Sequence, residues 1–337
     1  MKPSLANLLD QSRRRARELT PLLTLMVLVI AFSVSTENFL DFVNLRNIFA
    51  QTATLAIAAT GVTFVLLCAE IDLSIAAVAT MTGVVGAYLH GVLGMPGMDA
   101  VALAALVGAA AGLFNGIIVS RLRVPSFMVT LAAMQIASGV GQHITKGKIL
   151  YTLPPAVEYL GGAYLGKNEP FRVPVVVICG VVVLMLGHFI LTYTRFGRYV
   201  YMTGSNREAA RLSGVNTKNI VTACLAICGF TAGAAGMLNT GRLGSAQGFG
   251  MENMLLDSVA AVVLGGTSLF GGEGGIKNTA IGLLIFGVLN NGLNLLQLDI
   301  FVRLWLRGVV LLAALLLNVY ALHLQKRRLR PGTKRNP

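Results

Sequence analysis

Acidic residues are scarce in this sequence. Asp and Glu number 14 in 337 residues, and all charged residues together make up 12%, against about 25% in an ordinary soluble domain. That deficit excludes a normally solvated globular surface. Tryptophan occurs once and cysteine four times. Cys68, Cys179, Cys224 and Cys228 all fall within apolar stretches, so no disulfide framework is implied, and they read as small polarizable packing residues. Cys224 and Cys228 share a helix face at i, i+4, but a metal would want further ligands there. The histidines His90, His143, His188 and His323 stand singly at the ends of apolar stretches, the pattern of interfacial imidazoles. A nucleotide-binding motif is missing as well. Gly271-Gly272-Glu273-Gly274-Gly275-Ile276-Lys277 is Gly-rich and ends in Lys, yet Asn278 stands where a P-loop needs Ser or Thr and the Gly-Lys order is wrong.

Apolar residues are what the chain has in quantity: 55% of its length, with mean hydropathy +0.72. They are gathered into ten stretches, Pro21 to Ser35, Ile48 to Cys68, Leu73 to Leu93, Ala100 to Val119, Pro125 to Ile144, Val173 to Thr192, Ile220 to Thr240, Leu255 to Phe270, Ile276 to Leu296 and Ile300 to Leu322. Most approach the ~20 residues that span ~30 Å of hydrocarbon as helix. The expectation is an all-α polytopic membrane protein with about ten transmembrane helices. A formal charge of +13 would suggest nucleic acid in a soluble chain, but here its distribution matters. With the N-terminus inside, nineteen of the 27 Lys and Arg fall in inner segments and six in outer ones. That bias places both termini in the cytoplasm and implies no nucleic-acid partner. Arg13 to Arg17 before an apolar segment resembles a leader, but no small-residue cleavage site follows, so Pro21 to Ser35 reads as a retained span. The chain then divides into a cytoplasmic basic N-terminus (1–20), a transmembrane domain (21–322) and a cytoplasmic basic tail (323–337).

Glycine is the second abundance, with 38 residues. Gly108, Gly112 and Gly116 line one face of the fourth stretch, and Gly229 and Gly233 one face of the seventh, predicting close helix contact. A weak internal echo adds architecture: Asp72 precedes Ser74-Ile75-Ala76-Ala77-Val78, and Asp257 precedes Ser258-Val259-Ala260-Ala261-Val262. These open the third helices of two five-helix halves, and an odd number requires the halves to lie inverted, a 5+5 repeat.

Polar groups within apolar surroundings are candidates for a solute path. Glu70-Ile71-Asp72-Leu73-Ser74 breaks the hydrophobicity, which fits either a functional site or a simple inner turn capped by Asp72 or Ser74. Asn115 lies in the fourth stretch and Asn290, Asn291 and Asn294 in the ninth. Such amides can bind a hydroxylated solute or join neighbouring helices.

Between the sixth and seventh stretches, Gly204 to Gly214 reads as a short polar cytoplasmic helix. Ser205 with Glu208 fits a capping box, and Gly214 can take the left-handed conformation that ends a helix. Two turns are marginal alone. Something must hold them, and Arg207, Glu208 and Arg211 would face it; an ordinary solvated loop helix is the plain alternative.

Four segments together resemble the membrane permease of ATP-binding-cassette sugar importers of the ribose/xylose/arabinose/galactoside type, within the branched-chain-type permease superfamily. They are Glu70 to Ser74; Asn115-Gly116 through Val124-Pro125-Ser126-Phe127-Met128-Val129-Thr130-Leu131; Gly204 to Gly214; and Ala260 to Gly272. The resemblance covers about Asn44 to Leu322. It implies a half-transporter without its own nucleotide site, moved by separate cytoplasmic ABC ATPase subunits, fed by a solute-binding protein, and paired with a second permease copy or paralogue. ATP would be used by the ATPase, and this chain would bind no cofactor. The segment near 205–213 would be the coupling helix, with Asn206, Arg207, Glu208, Ala209, Ala210, Arg211, Ser213 and Gly214 engaging the ATPase. Family members often have Gly where Glu70 stands and near Ala76 and Ala77, so backbone freedom at this bend is reduced here. The outer loop Thr145 to Phe171, with Tyr151, Tyr159, Tyr164, Lys146, Lys148, Glu158, Lys167 and Glu169, is a candidate contact for the solute-binding protein or for lipid headgroups. Gly241 to Met254 is a second. The rival reading is an ion-coupled secondary carrier, which would want a carboxylate deep in a span; Glu70, Asp72, Asp257 and Glu273 all fall near predicted ends.

Overall fold

The computed structural model describes residues 21–166 and 172–309, with 312, 313 and 316. The segments 1–20 and 323–337, Lys167 and Glu169, and the end of the tenth stretch lie outside the described residues. The described residues are mostly helical. In order the elements are α1 (Pro21–Ser35), α2 (Phe42–Leu67), α3 (Ile75–Gly91), α4 (Gly97–Leu122), α5 (Ser126–Thr145), α6 (Pro155–Gly162), β1 (Tyr164–Leu165), β2 (Val173–Pro174), α7 (Val175–Tyr193), α8 (Arg195–Ser205), α9 (Arg207–Leu212), α10 (Thr217–Leu243), α11 (Asn253–Leu264) and α12 (Ile276–Leu295); a last stretch, α13, covers 300–309. β1 and β2 form only an antiparallel clip ahead of α7.

Four of these helices, α2, α4, α7 and α10, are each long and apolar enough to cross a bilayer. α1, α3 and α11 are apolar but shorter. The sequence stretches at α5 and α12 are long enough, but polar residues such as Gln135, Gln142, Asn290 and Asn291 dilute their hydropathy. In α12 that polarity is used in packing, Asn291 being buried, whereas Gln135 and Gln142 of α5 are exposed.

Connections alternate between two ends of the bundle. At one end meet the α2–α3 bend, the α4–α5 turn, the α8–α9 segment and the α11–α12 loop: Gly272 donates its N–H to the Leu67 carbonyl (3.0 Å), the Ile71 N–H goes to Ser126 Oγ (3.2 Å), and the Tyr201 hydroxyl donates to the Gly274 carbonyl (2.9 Å). At the other end Leu150 bridges Ala246, Val84 and Ala87 cluster with Leu153, and Ala104 packs with Val157 of α6 and Met237. Helices α2, α3, α4, α5, α7, α10, α11 and α12 therefore run alternately up and down.

Two helices make the centre. α2 is buried from Thr52 to Leu67, and α10 crosses α4 so closely that a Cβ on Gly112 would lie 2.3 Å from the Leu225 carbonyl and 2.9 Å from Gly229 Cα. The small-residue faces expected from the sequence are thus the α4–α10 contact. Cys68, Cys224 and Cys228 are free, buried thiols beside it, with Cys68 Sγ 3.4 Å from Cys224 Sγ.

Candidate functional site

The predicted short polar helix forms, with a different start. α8 runs through Ser205, so Ser205 is the last residue of one helix and cannot cap the next. Asn206 breaks the path at φ −158° and caps α9 with its own side chain, Oδ1 accepting from the Ala209 N–H at 2.9 Å. An asparagine is as good a cap as serine. Glu208 does not reach back as a capping box requires. Its carboxylate instead accepts two bonds from Arg211, at 3.0 and 2.5 Å, and that cation holds the Glu208 carboxyl below its ordinary range. Gly214 ends the segment at φ +83°, in the left-handed region its sequence position implied.

α9 has two distinct faces. Ala210 is 2% exposed and joins the central core with Val200 and Val215, so the i, i+3 spacing places Arg207 on the inward face too. Its guanidinium meets the Glu70 carboxylate at 2.8 Å and the Cys68 carbonyl at 3.2 Å. Arg207 is thus tied to the bend while its side chain stays 49% exposed beside the outward residues. Glu208, Ala209, Arg211, Ser213 and Gly214 do face out, and with them Leu212, 74% exposed. Leu212 is the residue that sequence reasoning passed over. The signal was there: an isolated leucine in the polar run Arg207-Glu208-Ala209-Ala210-Arg211-Leu212-Ser213. Beside α9 a cavity of about 720 Å³ opens between the α4–α5 turn and the start of α10, lined by Glu70, Arg123, Arg207, Glu208, Arg211 and Lys218 among others.

The six solute-path candidates separate into three places. Asp72, Ser74 and Asn115 come together in a buried knot under the α2–α3 bend. Asp72 Oδ1 accepts from the Ser74 N–H (2.8 Å) and hydroxyl (2.6 Å), and Asn115 Nδ2 donates to Ser74 Oγ (3.1 Å). Burial pushes the Asp72 carboxyl up, opposed by those bonds from Ser74. The knot ties α3 to α4 and supplies the local turn that the sequence offered as one of its two readings.

Asn291 is committed elsewhere. It exchanges two amide bonds with Asn44 of α2, at 2.9 and 2.8 Å, both residues being buried. Asn44→Ala is therefore expected to leave the Asn291 amide orphaned and cost about 1–3 kcal/mol, lowering the melting temperature of the detergent-solubilised chain. Replacing both by Leu should cost less than the single change, because no buried side-chain amide is then left over, only the Phe39 carbonyl that Asn44 also serves.

Asn290 and Asn294 alone look onto open polar space. Asn290 lines a cavity of about 180 Å³ with Gln51, Asn239, Arg242, Asn253 and Asp257. It also lines a second of about 150 Å³ with Asn294, Arg303 and Arg307. Arg242 donates to Asn239 Oδ1 (3.1 Å), Arg303 to Asn294, and Arg307 forms an ion pair with Asp257 while lying 4.6 Å from the Phe286 ring centroid. Asp257 was expected near the start of its span. α11 begins earlier, at Asn253, so the carboxylate sits more than one turn inside the helix, where Arg307 satisfies it. Asn239, an amide inside the seventh stretch, was legible; Gln51 and Arg307 joined this group only through tertiary packing.

The chain matches the family described as "Branched-chain amino acid transport system / permease component" over residues 44–318. Among curated proteins it is similar to the ribose import permease protein of Escherichia coli (strain K12), 40% identical over 297 residues that cover 88% of this chain and 92% of the relative. The ribose import permease protein of Bacillus subtilis (strain 168) is 36% identical over 302 residues, covering 90% and 92%. The D-allose transport system permease protein of Escherichia coli (strain K12) is 34% identical over 297 residues, covering 87% and 88%.

Proposed function

The chain belongs to the branched-chain-type family of transport-system permease components, and on that premise we propose that it is the membrane-spanning subunit of an ATP-driven importer for a sugar or sugar-like solute. Relatives named for ribose and D-allose import, each aligned over nearly their whole length, support that solute class. In this reading separate cytoplasmic ABC ATPases supply the energy, an extracytoplasmic solute-binding protein delivers the solute, and a second copy or paralogue completes the pathway. The observation that carries it is α9: a six-residue helix, capped by Asn206 and pinned by Ala210, that holds an exposed leucine and an exposed ion pair outward. A segment so short has no independent stability. The fold holds it out as a contact surface.

The ten-span count draws support from the alternation of eight described helices, with α1 before them and α13 after. The 5+5 inverted repeat draws support from the echo at Asp72 and Asp257. Asp72 opens α3 from the end that carries α9, whereas α11 starts from the opposite end. With α9 inside, as the cation bias requires, both termini are cytoplasmic. The cavity of Gln51, Asn239, Asp257 and Asn290 then opens toward the outer half. Amide and carboxylate groups there offer the mixed donors and acceptors that sugar hydroxyls need. Alternating access follows if ATP binding stabilises one of two arrangements of the helices through α9.

Purification with the cognate ATPase tests the reading. Replacing Glu208 and Arg211 together by Ala is expected to weaken association at least tenfold and to abolish solute-stimulated ATP hydrolysis, while the chain itself stays folded, since an exposed pair contributes little stability. Unchanged association and hydrolysis would sink it. So would labelling of a Ser213→Cys variant by an impermeant thiol reagent in intact cells, for that would put α9 on the wrong side.

A further inference from the structure

The α2–α3 bend is a hub. Its Ile71 N–H is held by Ser126 Oγ at the start of α5 (3.2 Å), and Thr130 Oγ1 reaches the Ile71 carbonyl (3.4 Å). Through Asp72 and Ser74 the same bend holds Asn115 of α4. Around these five consecutive residues α2 ends, α3 begins, and α4 and α5 are tied to the bend through Asn115 and Ser126. The α8–α9 segment is clamped to this hub at two levels. Gly204 lies against the end of α2 so tightly that a Cβ there would be 1.7 Å from the Leu67 carbonyl. One residue past the Asn206 break, Arg207 grips the Glu70 carboxylate (2.8 Å) and the Cys68 carbonyl (3.2 Å) at once. The Glu70 side chain is 10% exposed while Arg207 keeps 49%. A carboxylate that buried needs a partner, and among the bonds of this bend the one from Arg207 is its single ionic link to α9.

We propose that Glu70 is a positioning residue for energy coupling. Through Arg207 it makes α9 and the α2–α3 bend move as one piece, so that a displacement of α9 by the ATPase reaches α4 and α5. The proposal rests on the coupling role given to α9 above. It predicts a specific failure: with the tie cut, the ATPase still docks on the outward face of α9, but its stroke is lost before the helices.

The experiment uses the whole importer in lipid vesicles, with ATPase and solute-binding protein, and measures two quantities: ATPase affinity, and solute moved per ATP hydrolysed. Glu70→Gln keeps volume and hydrogen bonding but removes the charge. It is expected to leave ATPase affinity within twofold and to lower solute moved per ATP at least fivefold. The exchange of both partners, Glu70→Arg with Arg207→Glu, should recover a substantial part of that ratio. If Glu70→Gln does not accumulate, Arg207→Gln takes its place, since an uncharged amide removes the ionic partner of the Glu70 carboxylate. A wild-type ratio in the variant overturns the proposal. So does a loss of affinity as large as the loss of transport, which would make the contact part of docking. Failure of the wild-type chain to bind any ATPase would instead overturn the coupling role of α9, and the wild-type control shows that separately.

Discussion

Replacement of Gly112 by leucine is expected to remove the folded chain from the membrane. The α4–α10 contact is backbone against backbone: a Cβ at Gly112 would meet the Leu225 carbonyl at 2.3 Å and Gly229 nitrogen at 2.9 Å, and one at Gly229 would meet the Gly108 carbonyl at 2.4 Å. A side chain pressed against side chains can be absorbed by rotamer changes, at about 1–3 kcal/mol. Here no rotamer relieves the clash, because the colliding atoms are helical carbonyls. The helices must separate by several ångströms, which forfeits the van der Waals packing that holds helices together where lipid offers no hydrophobic drive. α10 also carries Cys224, Cys228 and Leu225 into the central core, so the loss spreads to α2 and α3. The expected result is little or no monodisperse protein on size-exclusion chromatography and a lost cooperative melt. Gly139→Ala is the control: it sits in a helix with nothing within 4 Å of a built Cβ, and should be neutral or slightly stabilising. Near-normal yield and melting for Gly112→Leu would show that α4 and α10 do not pack at this distance.

The second large effect is expected at Leu212. Its side chain is 74% exposed at the end of α9, on the face that the proposed function assigns to the ATPase. Burying a leucine in an interface contributes about 1.5–3 kcal/mol, and an aspartate in its place must shed water without a partner. Leu212→Asp should therefore weaken ATPase binding by roughly 10- to 100-fold or more, with each 1.4 kcal/mol worth tenfold. The chain's own melting temperature should hardly move, because the residue touches little else. Titration of the purified ATPase against the chain in nanodiscs measures the first quantity, and a thermal melt the second. Equal binding by both forms would place the contact elsewhere on the inner face.

Much of this was open to inspection in the linear chain, for reasons of chemistry. Backbone groups cannot stay unpaired in hydrocarbon, so apolar stretches of sufficient length become helices, and the expected bounds lie close to those of α1, α3 to α5, α7, α10 and α12, while α2 begins earlier, at Phe42, and α11 ends earlier, at Leu264. Glycine faces at Gly108, Gly112 and Gly229 announced a close crossing, and Gly214 announced a helix end. The start of α9 was misplaced because serine and asparagine compete equally for a cap. The choice fell to Asn206 only because α8 continues through Ser205, and no local rule fixes where an amphipathic helix meets the next one.

The amides show the same boundary more sharply. Asn44, Asn115, Asn290, Asn291 and Asn294 have one chemistry, and nothing in their neighbours along the chain separates a helix tie from a solute contact. Distance in space separates them: Asn291 meets Asn44 from 247 positions away, Asn115 closes onto Ser74, and Asn290 is left facing a cavity.

The sequence by itself determined that this protein is a helical membrane protein and which helices cross closely, because burial of apolar length and glycine's missing side chain are properties of composition and order; that it is a permease rests on its likeness to a family. Only the tertiary structure decided that Arg207 pairs with Glu70, that Leu212 stands outward, and which amides are already satisfied. A polar side chain is defined by its partner, and partners far apart in sequence are chosen by packing.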